Sequence, residues 1–294
     1  MDSYRMIYAE QDWPLFIDIF NKCTQYAPYS IPLSLHLVQE YIVPFRQSHE
    51  DYAMIGDNGR GKGILHIGKQ ARLEKGGDEK IGVIYMLFGE NNDITQYLLE
   101  KAEEWFLDKG LKKVLSFWWY PNPYQYILHG SEIYGWAGAY PMMNAFRRLN
   151  YDLASDILVM RRDLASEPEI PSPQIDGLEF VVRREMDNEL AIAGTVMAKV
   201  KGKEIGYCGF QYLKAISARL RKGIGQIAIG ANQEFHGMGI GTALITHAHI
   251  QLYQLGARQV ILATNQSLFR AIKFYEKMGY QPEPIRAYAF SKDL

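Results

Sequence analysis

Three glycines at alternate positions stand out in the second half of the chain, in His236-Gly237-Met238-Gly239-Ile240-Gly241-Thr242. They follow an apolar run at 224–231 that reads as a buried strand, and they precede a helical pattern at 241–255. Bare backbone at a helix start lets a ligand come close. The free N–H groups and the positive helix end then favour an anion, usually a phosphate. The bland reading is a tight strand-to-helix turn, and three glycines in this place weigh towards phosphate. A G-x-x-x-x-G-K-[ST] loop is excluded because no lysine follows the glycines. A dinucleotide G-x-G-x-x-G/A fingerprint fails as well. Its sixth position is Thr242 counted from Gly237, or Leu244 counted from Gly239, and Thr264-Asn265 stand where an acidic residue would hold a ribose.

Residues 227–244, I-A-I-G-A-N-Q-E-F-H-G-M-G-I-G-T-A-L, resemble motif A of the GNAT N-acetyltransferase superfamily, whose pattern is Q/R-x-x-G-x-G/A after a strand. Residues 265–280, N-Q-S-L-F-R-A-I-K-F-Y-E-K-M-G-Y, resemble its motif B, N-x-x-A-x-x-x-Y-x-x-x-G-F/Y, allowing for loop length. The two motifs occur in the family's order and separation. The resemblance implies direct transfer of an acetyl group from acetyl-CoA to an amine acceptor, a small molecule or a peptide, with no metal and no covalent enzyme intermediate. It implies that the strand ending at Ile229 and Ala231 splays and offers backbone groups to the pantetheine arm. The N–H groups of Gly237, Met238, Gly239, Ile240, Gly241 and Thr242 would hold the diphosphate, with His236 where the family has Arg or Gln. An N–H of the splayed strand would polarise the thioester carbonyl.

Tyr275 stands where the family places its general acid. A phenol, with pKa near 10, can protonate or stabilise a thiolate whose conjugate acid lies near 8.5; the alternative is that the ring only packs. Asn265 either bonds the pantetheine or caps the helix after it. No base is evident, since residues 221–230 carry no Asp or Glu. Glu204, His247 and His249 are the remaining candidates, and Glu234 reads as a solvated turn residue. His247 and His249, two apart on a helix, face different ways and make a poor metal pair. His236 and the missing base suggest the competing reading, a catalytically impaired CoA-binding regulatory or structural protein. A nucleotide-binding oxidoreductase is third and poorly supported.

These residues need elements to hold them. Pro168, Pro171 and Pro173 mark a linker at 165–176, which separates a domain at 1–164 from one at 177–294. The second is read as strands at 178–183, 191–200, 205–213, 224–231, 260–263 and 286–290, with helices at 241–255 and 267–278 ended by Gly256 and Gly279. The 183–191 interval leaves little room for the two helices that family members carry there, so the first domain is expected to supply the acceptor wall. That half repeats the order of helix, Gly stop, buried strand and short helix, and it resembles a second GNAT-type domain. Its corresponding helix starts at Glu90-Asn91-Asn92-Asp93, without glycines and with acids that repel phosphate. It reads as a degenerate copy with an acceptor-side or structural role. The expected class is α/β (α+β), two tandem GNAT-type domains, each a mixed central sheet flanked by helices.

Charge agrees with this division. Residues 1–164 hold 17 Lys/Arg against 21 Asp/Glu, and residues 165–294 hold 15 against 12, which puts the positive balance where the anion loop is. The whole-chain net charge of −1 argues against a nucleic-acid partner. Cys23 and Cys208 are too few for a disulfide scaffold and lack metal-pair spacing. No apolar leader opens the chain and no apolar run approaches the roughly 20 residues of a membrane span, so a cytoplasmic protein without a membrane partner is expected. Ten aromatics between Phe117 and Phe146 read as an acceptor pocket using cation–π attraction, as a seam between domains, or as the contact of a homodimer.

Overall fold

The computed structural model of the chain describes residues 5–48, 50–71, 80–117, 122–128, 135–136, 140–169, 173, 175–231, 233–235 and 237–294. It contains two compact units, Met1–Asp156 together with Ile285–Leu294, and Ile157–Pro284.

The first unit runs β1 (Arg5–Tyr8), α1 (Trp13–Thr24), α2 (Leu35–Leu37), a π-helical turn at Val38–Ile42, α3 (Val43–Ser48), β2 (Asp51–Asp57), β3 (Lys62–Ala71), β4 (Lys80–Gly89), α4 (Asn92–Asp108), β5 (Lys113–Ser116), β6 (Gly135–Trp136), α5 (Tyr140–Arg148) and the start of β7 (Asp152–Asp163). The second unit takes the rest of β7, then β8 (Leu178–Asp187), β9 (Ile192–Val200), β10 (Lys203–Tyr212), α6 (Lys214–Leu220), β11 (Ile224–Ala231), α7 (Ile240–Gln254), β12 (Gln259–Asn265), α8 (Phe269–Lys277) and the start of β13 (Gln281–Asp293). Both unit boundaries therefore fall inside strands, β7 and β13, whereas the proline-rich stretch at 165–176 points to a division there.

Each unit is a mixed sheet with one parallel pair. In the first, neighbours run β1-β2-β3-β4-β5-β13, and β4–β5 is parallel. In the second they run β7-β12-β11-β10-β9-β8, and β11–β12 is parallel. Residues 188–191 alone join β8 to β9, which confirms the short interval. The β9–β10 hairpin turns on Lys201 and Gly202, both with positive φ, as a two-residue primed turn requires. Helix α6 has no counterpart in the sequence reading.

The crossover helices share one ending. Gly256 after α7 (φ +99°) and Gly279 after α8 (φ +81°) take the left-handed conformation, and the next residues donate back, Ala257 N to Leu252 O at 2.8 Å and Tyr280 N to Tyr275 O at 3.0 Å. This is the Schellman arrangement, which turns the chain sharply into the following strand. In the first unit Gly110 and Asn150 do the same, with Leu111 N to Phe106 O and Tyr151 N to Phe146 O, each 3.0 Å.

In the second unit α7 and α8 pack on one face of the sheet. Ile240, Leu244, Ala248 and Leu252 of α7 are buried against Ile227 of β11, Cys208 and Phe210 of β10, and Val260 and Leu262 of β12. Each fully buried Leu or Ile contributes on the order of 1.5–3 kcal/mol, so the start of α7 is firmly anchored. The described aromatics of 117–146 divide between interior and surface. Phe117, Tyr124 and Phe146 lie in the first unit's interior, Phe146 stacking on Phe290 at 4.5 Å, whereas Tyr140 is exposed. Trp118, Trp119, Tyr120 and Tyr134 lie outside the described residues.

Candidate functional site

Strands β11 and β12 are neighbours over three residue pairs only: Ile224 with Gln259, Gly225 with Val260, and Gln226 with Ile261. Beyond that β11 stays paired with β10 as far as Ala231, and β12 stays paired with β7 as far as Asn265. Residues 227–231 thus have one satisfied edge and one edge turned to a gap between two strands. Ile229 and Ala231 both lie in this segment. An extended ligand with its own amides can complete such an edge, because backbone donors and acceptors need partners. Gly230 lies there too, covered by the half-exposed ring of Tyr207 on β10, and a Cβ on it would stand 2.8 Å from that ring.

The glycine loop follows directly. Gly237 and Gly239 both have φ +83°, which an L side chain adopts only with strain, and both are exposed. Gly239 is the N-cap of α7; no side chain caps the helix, and its first turn holds no acid. Gly241 is bare for a different reason, since a Cβ there would stand 3.2 Å from Phe274 of α8. Met238 is exposed, Ile240 is anchored in the core, and Thr242 lies on the first turn of α7. His236 lies outside the described residues.

Tyr275 sits on α8 with only 9% of its surface exposed, inside the apolar cluster and edge-on to Tyr280 at 6.1 Å. Asn265 ends β12, and its Oδ1 accepts hydrogen bonds from Ser267 N (2.9 Å) and Ser267 Oγ (2.7 Å). This closes a turn ahead of α8, whose own N-cap, Leu268, has no side-chain cap bond, so Asn265 does not cap the helix.

The Acetyltransferase (GNAT) family model matches residues 157–280. Residues 157–280 are a GNAT-family domain. The match nearly coincides with the second compact unit, Ile157–Pro284, including the end of β7 that lies ahead of the proline-rich stretch. Solved structures extend the likeness over the whole chain. A GCN5-related N-acetyltransferase from Sphaerobacter thermophilus is 16% identical, with 100% of this chain and 96% of that one covered and a TM-score of 0.61. A tandem GNAT protein from the clavulanic acid biosynthesis pathway is 12% identical, with 99% and 98% covered and a TM-score of 0.66. A GCN5-related glucosamine N-acetyltransferase region of a fungal multi-domain GH3 beta-N-acetylglucosaminidase is 14% identical, with a TM-score of 0.69, over 99% of this chain and 38% of that one. At these identities the likeness shows the fold, two GNAT-type units in tandem. No curated protein sequence matches the chain.

The GNAT domain carries further polar groups beside its helices. A cavity of about 510 Å³ is lined by Thr242 and Thr246 of α7, Arg162 of β7, Glu169, and Lys277 and Gly279 at the end of α8. Arg162, Thr246 and Lys277 carry no motif that sequence reading could have caught, because three separate elements bring them together. The candidate bases are dispersed. His247 packs on Phe180 with ring centres 4.5 Å apart. His249 is fully buried, with Nε2 2.6 Å from Tyr280 Oη, and burial reinforced by Arg162 lowers its pKa to about 3. Glu204 and Glu234 are exposed. Among the described residues no His, Cys, Asp and Glu are grouped to hold a metal, and no helix is long and apolar enough to cross a membrane.

The GNAT domain's counterpart in the first unit has the same parting of strands and a different filling. Strand β4 pairs with β5 only over Gly82–Val114, Val83–Leu115 and Ile84–Ser116. There Tyr85, Met86, Leu87 and Phe88 are all buried. Asn91 caps α4 by accepting from Ile94 N at 3.0 Å, and Glu90 accepts from Lys62 N at 2.8 Å. The side chain of Asn91 thus takes a helix-start N–H that an anion would otherwise need, and Glu90 adds a negative charge beside it. Deeper in, His66 bridges Asp51 Oδ2 (3.0 Å) and Tyr124 Oη (2.9 Å), while Arg46 holds the other Asp51 oxygen at 2.8 Å. Burial lowers the basicity of His66 and Asp51 opposes that shift. His66 and Tyr124 are fully buried, whereas Arg46 also pairs with the exposed Glu10, so the group runs from the interior towards the surface of the unit.

Proposed function

We propose that the GNAT domain is an acyl-CoA-dependent N-acetyltransferase, moving an acetyl group directly from acetyl-CoA to an amine acceptor. The observation that carries this reading is the parting of β11 from β12 after Gln226 and Ile261, beside a helix start capped by a glycine. A pantetheine arm brings two amides to an open strand edge, for which the backbone of Ile229 and Ala231 is the partner. The diphosphate suits the N–H groups of Gly237 to Thr242, and by its place in the motif His236 adds a contact. The first unit, with the start of α4 capped by Asn91 and the acidic Glu90 beside it, binds no donor.

The step balances simply. The acceptor nitrogen attacks the thioester carbonyl carbon while an N–H of β11 stabilises the oxygen as it becomes anionic. The C–N bond forms, the C–S bond breaks, and sulfur leaves with the bonding pair. Tyr275 gives sulfur its proton, and the nitrogen's proton passes to water. A thiol-release assay with acetyl-CoA against a library of amines tests the reading, and turnover with one of them is expected.

The burial of Tyr275 favours a second reading, a CoA-binding protein that has lost catalysis. Tight CoA binding with no amine acetylated would establish it in place of the first.

A further inference from the structure

Three charged side chains of the GNAT domain line one cavity without pairing with one another. Arg162 on β7, Lys277 at the end of α8, and Glu169 border the space of about 510 Å³ beside Thr242 and Thr246 of α7, all within the second compact unit. Among the described residues none of the three side chains has a hydrogen-bond or ion-pair partner. Arg162 is half-buried. Its Nε lies 3.6 Å from where a Cβ on Gly279 would stand, and its charge bears on the buried His249 and Tyr280. A guanidinium in that place gives up hydration and gets no carboxylate in return. A carboxylate entering the cavity supplies the missing partner, and can do so with two parallel hydrogen bonds.

The hydroxyls add to this pattern. Thr246 Oγ1 donates to Thr242 O at 2.9 Å, so towards a ligand it can only accept. The cavity thus offers cationic donors at Arg162 and Lys277, and acceptors at Glu169 and Thr246. Its complement carries two carboxylates and one ammonium. A phosphorylated ligand suits it less, because Glu169 puts a carboxylate into it. The volume is ordinary for a small-molecule site. The reacting centre lies elsewhere: Arg162 stands opposite Val260, on the paired side of the point where β11 and β12 part.

We propose that this cavity binds an acidic amino acid, with one carboxylate on Arg162, the other on Lys277 and the ammonium on Glu169, at a site separate from the one that transfers the acyl group. The ligand's net charge of about −1 near neutral pH balances the two cations and one anion of the wall. Lys277 and Glu169 are exposed, so their share is modest and falls with salt, whereas the half-buried Arg162 has the larger part. None of the three charged groups belongs to the glycine loop or to the strand gap, so the inference stands apart from the donor reading.

Calorimetric titration of the full chain with L-glutamate, and with glutarate, which keeps both carboxylates and lacks the ammonium, tests it. Wild type is expected to bind L-glutamate with a Kd of about 1 mM or tighter, and glutarate about fivefold more weakly. Glu169→Gln is expected to bring the two ligands level by weakening L-glutamate. Lys277→Gln should weaken both about threefold, and Arg162→Gln at least about tenfold. If Arg162→Gln does not fold, the variants at the two exposed positions decide. No saturable L-glutamate binding by wild type, equal binding of the two ligands by wild type, or a preference surviving in Glu169→Gln overturns the inference. The titrations contain no CoA, so each of these results leaves the donor reading standing.

Discussion

Gln226 of β11 is paired with Ile261 of β12, and the two strands share no residue pair after them. Before that point the strands have an ordinary parallel partnership; after it each keeps only its outer neighbour. The gap thus sits between two well-paired strands, next to the loop that starts α7. Rigid walls of this kind suit a site that must hold a long, flexible arm in one extended pose.

The other end of the same partnership is held by two glycines. Gly223 O accepts from Arg258 N (2.8 Å) and Gln259 N (3.0 Å), and a Cβ on Gly223 would collide with Gly256 O. Gly223→Ala is expected to cost about 1–3 kcal/mol, the usual range for overpacking where backbone must move. Thermal unfolding measures it, and an unchanged Tm would show that the two turns separate freely.

Gly239→Asp tests the anion cradle. It places a carboxylate at the N-cap of α7, in a backbone conformation with φ +83°, where the diphosphate would sit. CoA affinity is expected to fall at least about 100-fold, since a like charge and the loss of close backbone approach act together. Calorimetry on the folded variant decides, and normal CoA binding would place the donor elsewhere.

Tyr275→Phe separates the acid from the packing residue. The ring stays in the core, so the fold and CoA affinity are expected to persist. A positioned acid contributes about 10²–10⁴-fold, so kcat should fall by that much with little change in KM for acetyl-CoA. An unaltered kcat, with chemistry limiting the rate, would leave Tyr275 a packing residue.

His249 makes stability depend on pH. Burial, then Arg162, lowers its folded pKa to about 3, whereas an unfolded histidine protonates near 6.5. Between about pH 6.5 and 3 the unfolded chain therefore binds a proton that the folded chain refuses. Stability is present above that window and is lost as pH falls through it, by up to about 1.4 kcal/mol per pH unit. His249→Gln keeps a hydrogen-bonding group near Tyr280 but does not titrate, so its denaturant-unfolding free energy should fall less between pH 7 and pH 4. Parallel curves for the two proteins would refute this.

The chain order of helices, strands and stops was legible because local physics writes it. The alternate glycines before α7, the apolar run of β11, the four-residue apolar spacing of α7, and Gly110, Gly256 and Gly279 as stops each act within a few residues. Asn150, doing a glycine's work after α5, escaped because its left-handed turn is an option for Asn and not a requirement. The short interval between β8 and β9 was likewise visible, since it is a matter of chain length.

Tertiary structure alone decided where partnerships end. Nothing in 224–231 says that pairing with β12 stops at Gln226, because the stop depends on the paths of two strands far apart in sequence. Membership of β7 and β13 in two units is of the same kind: prolines mark where a chain bends, and strand pairing marks what it packs with. The cavity with Arg162 also needed three dimensions. Cations on separate elements carry no shared spacing.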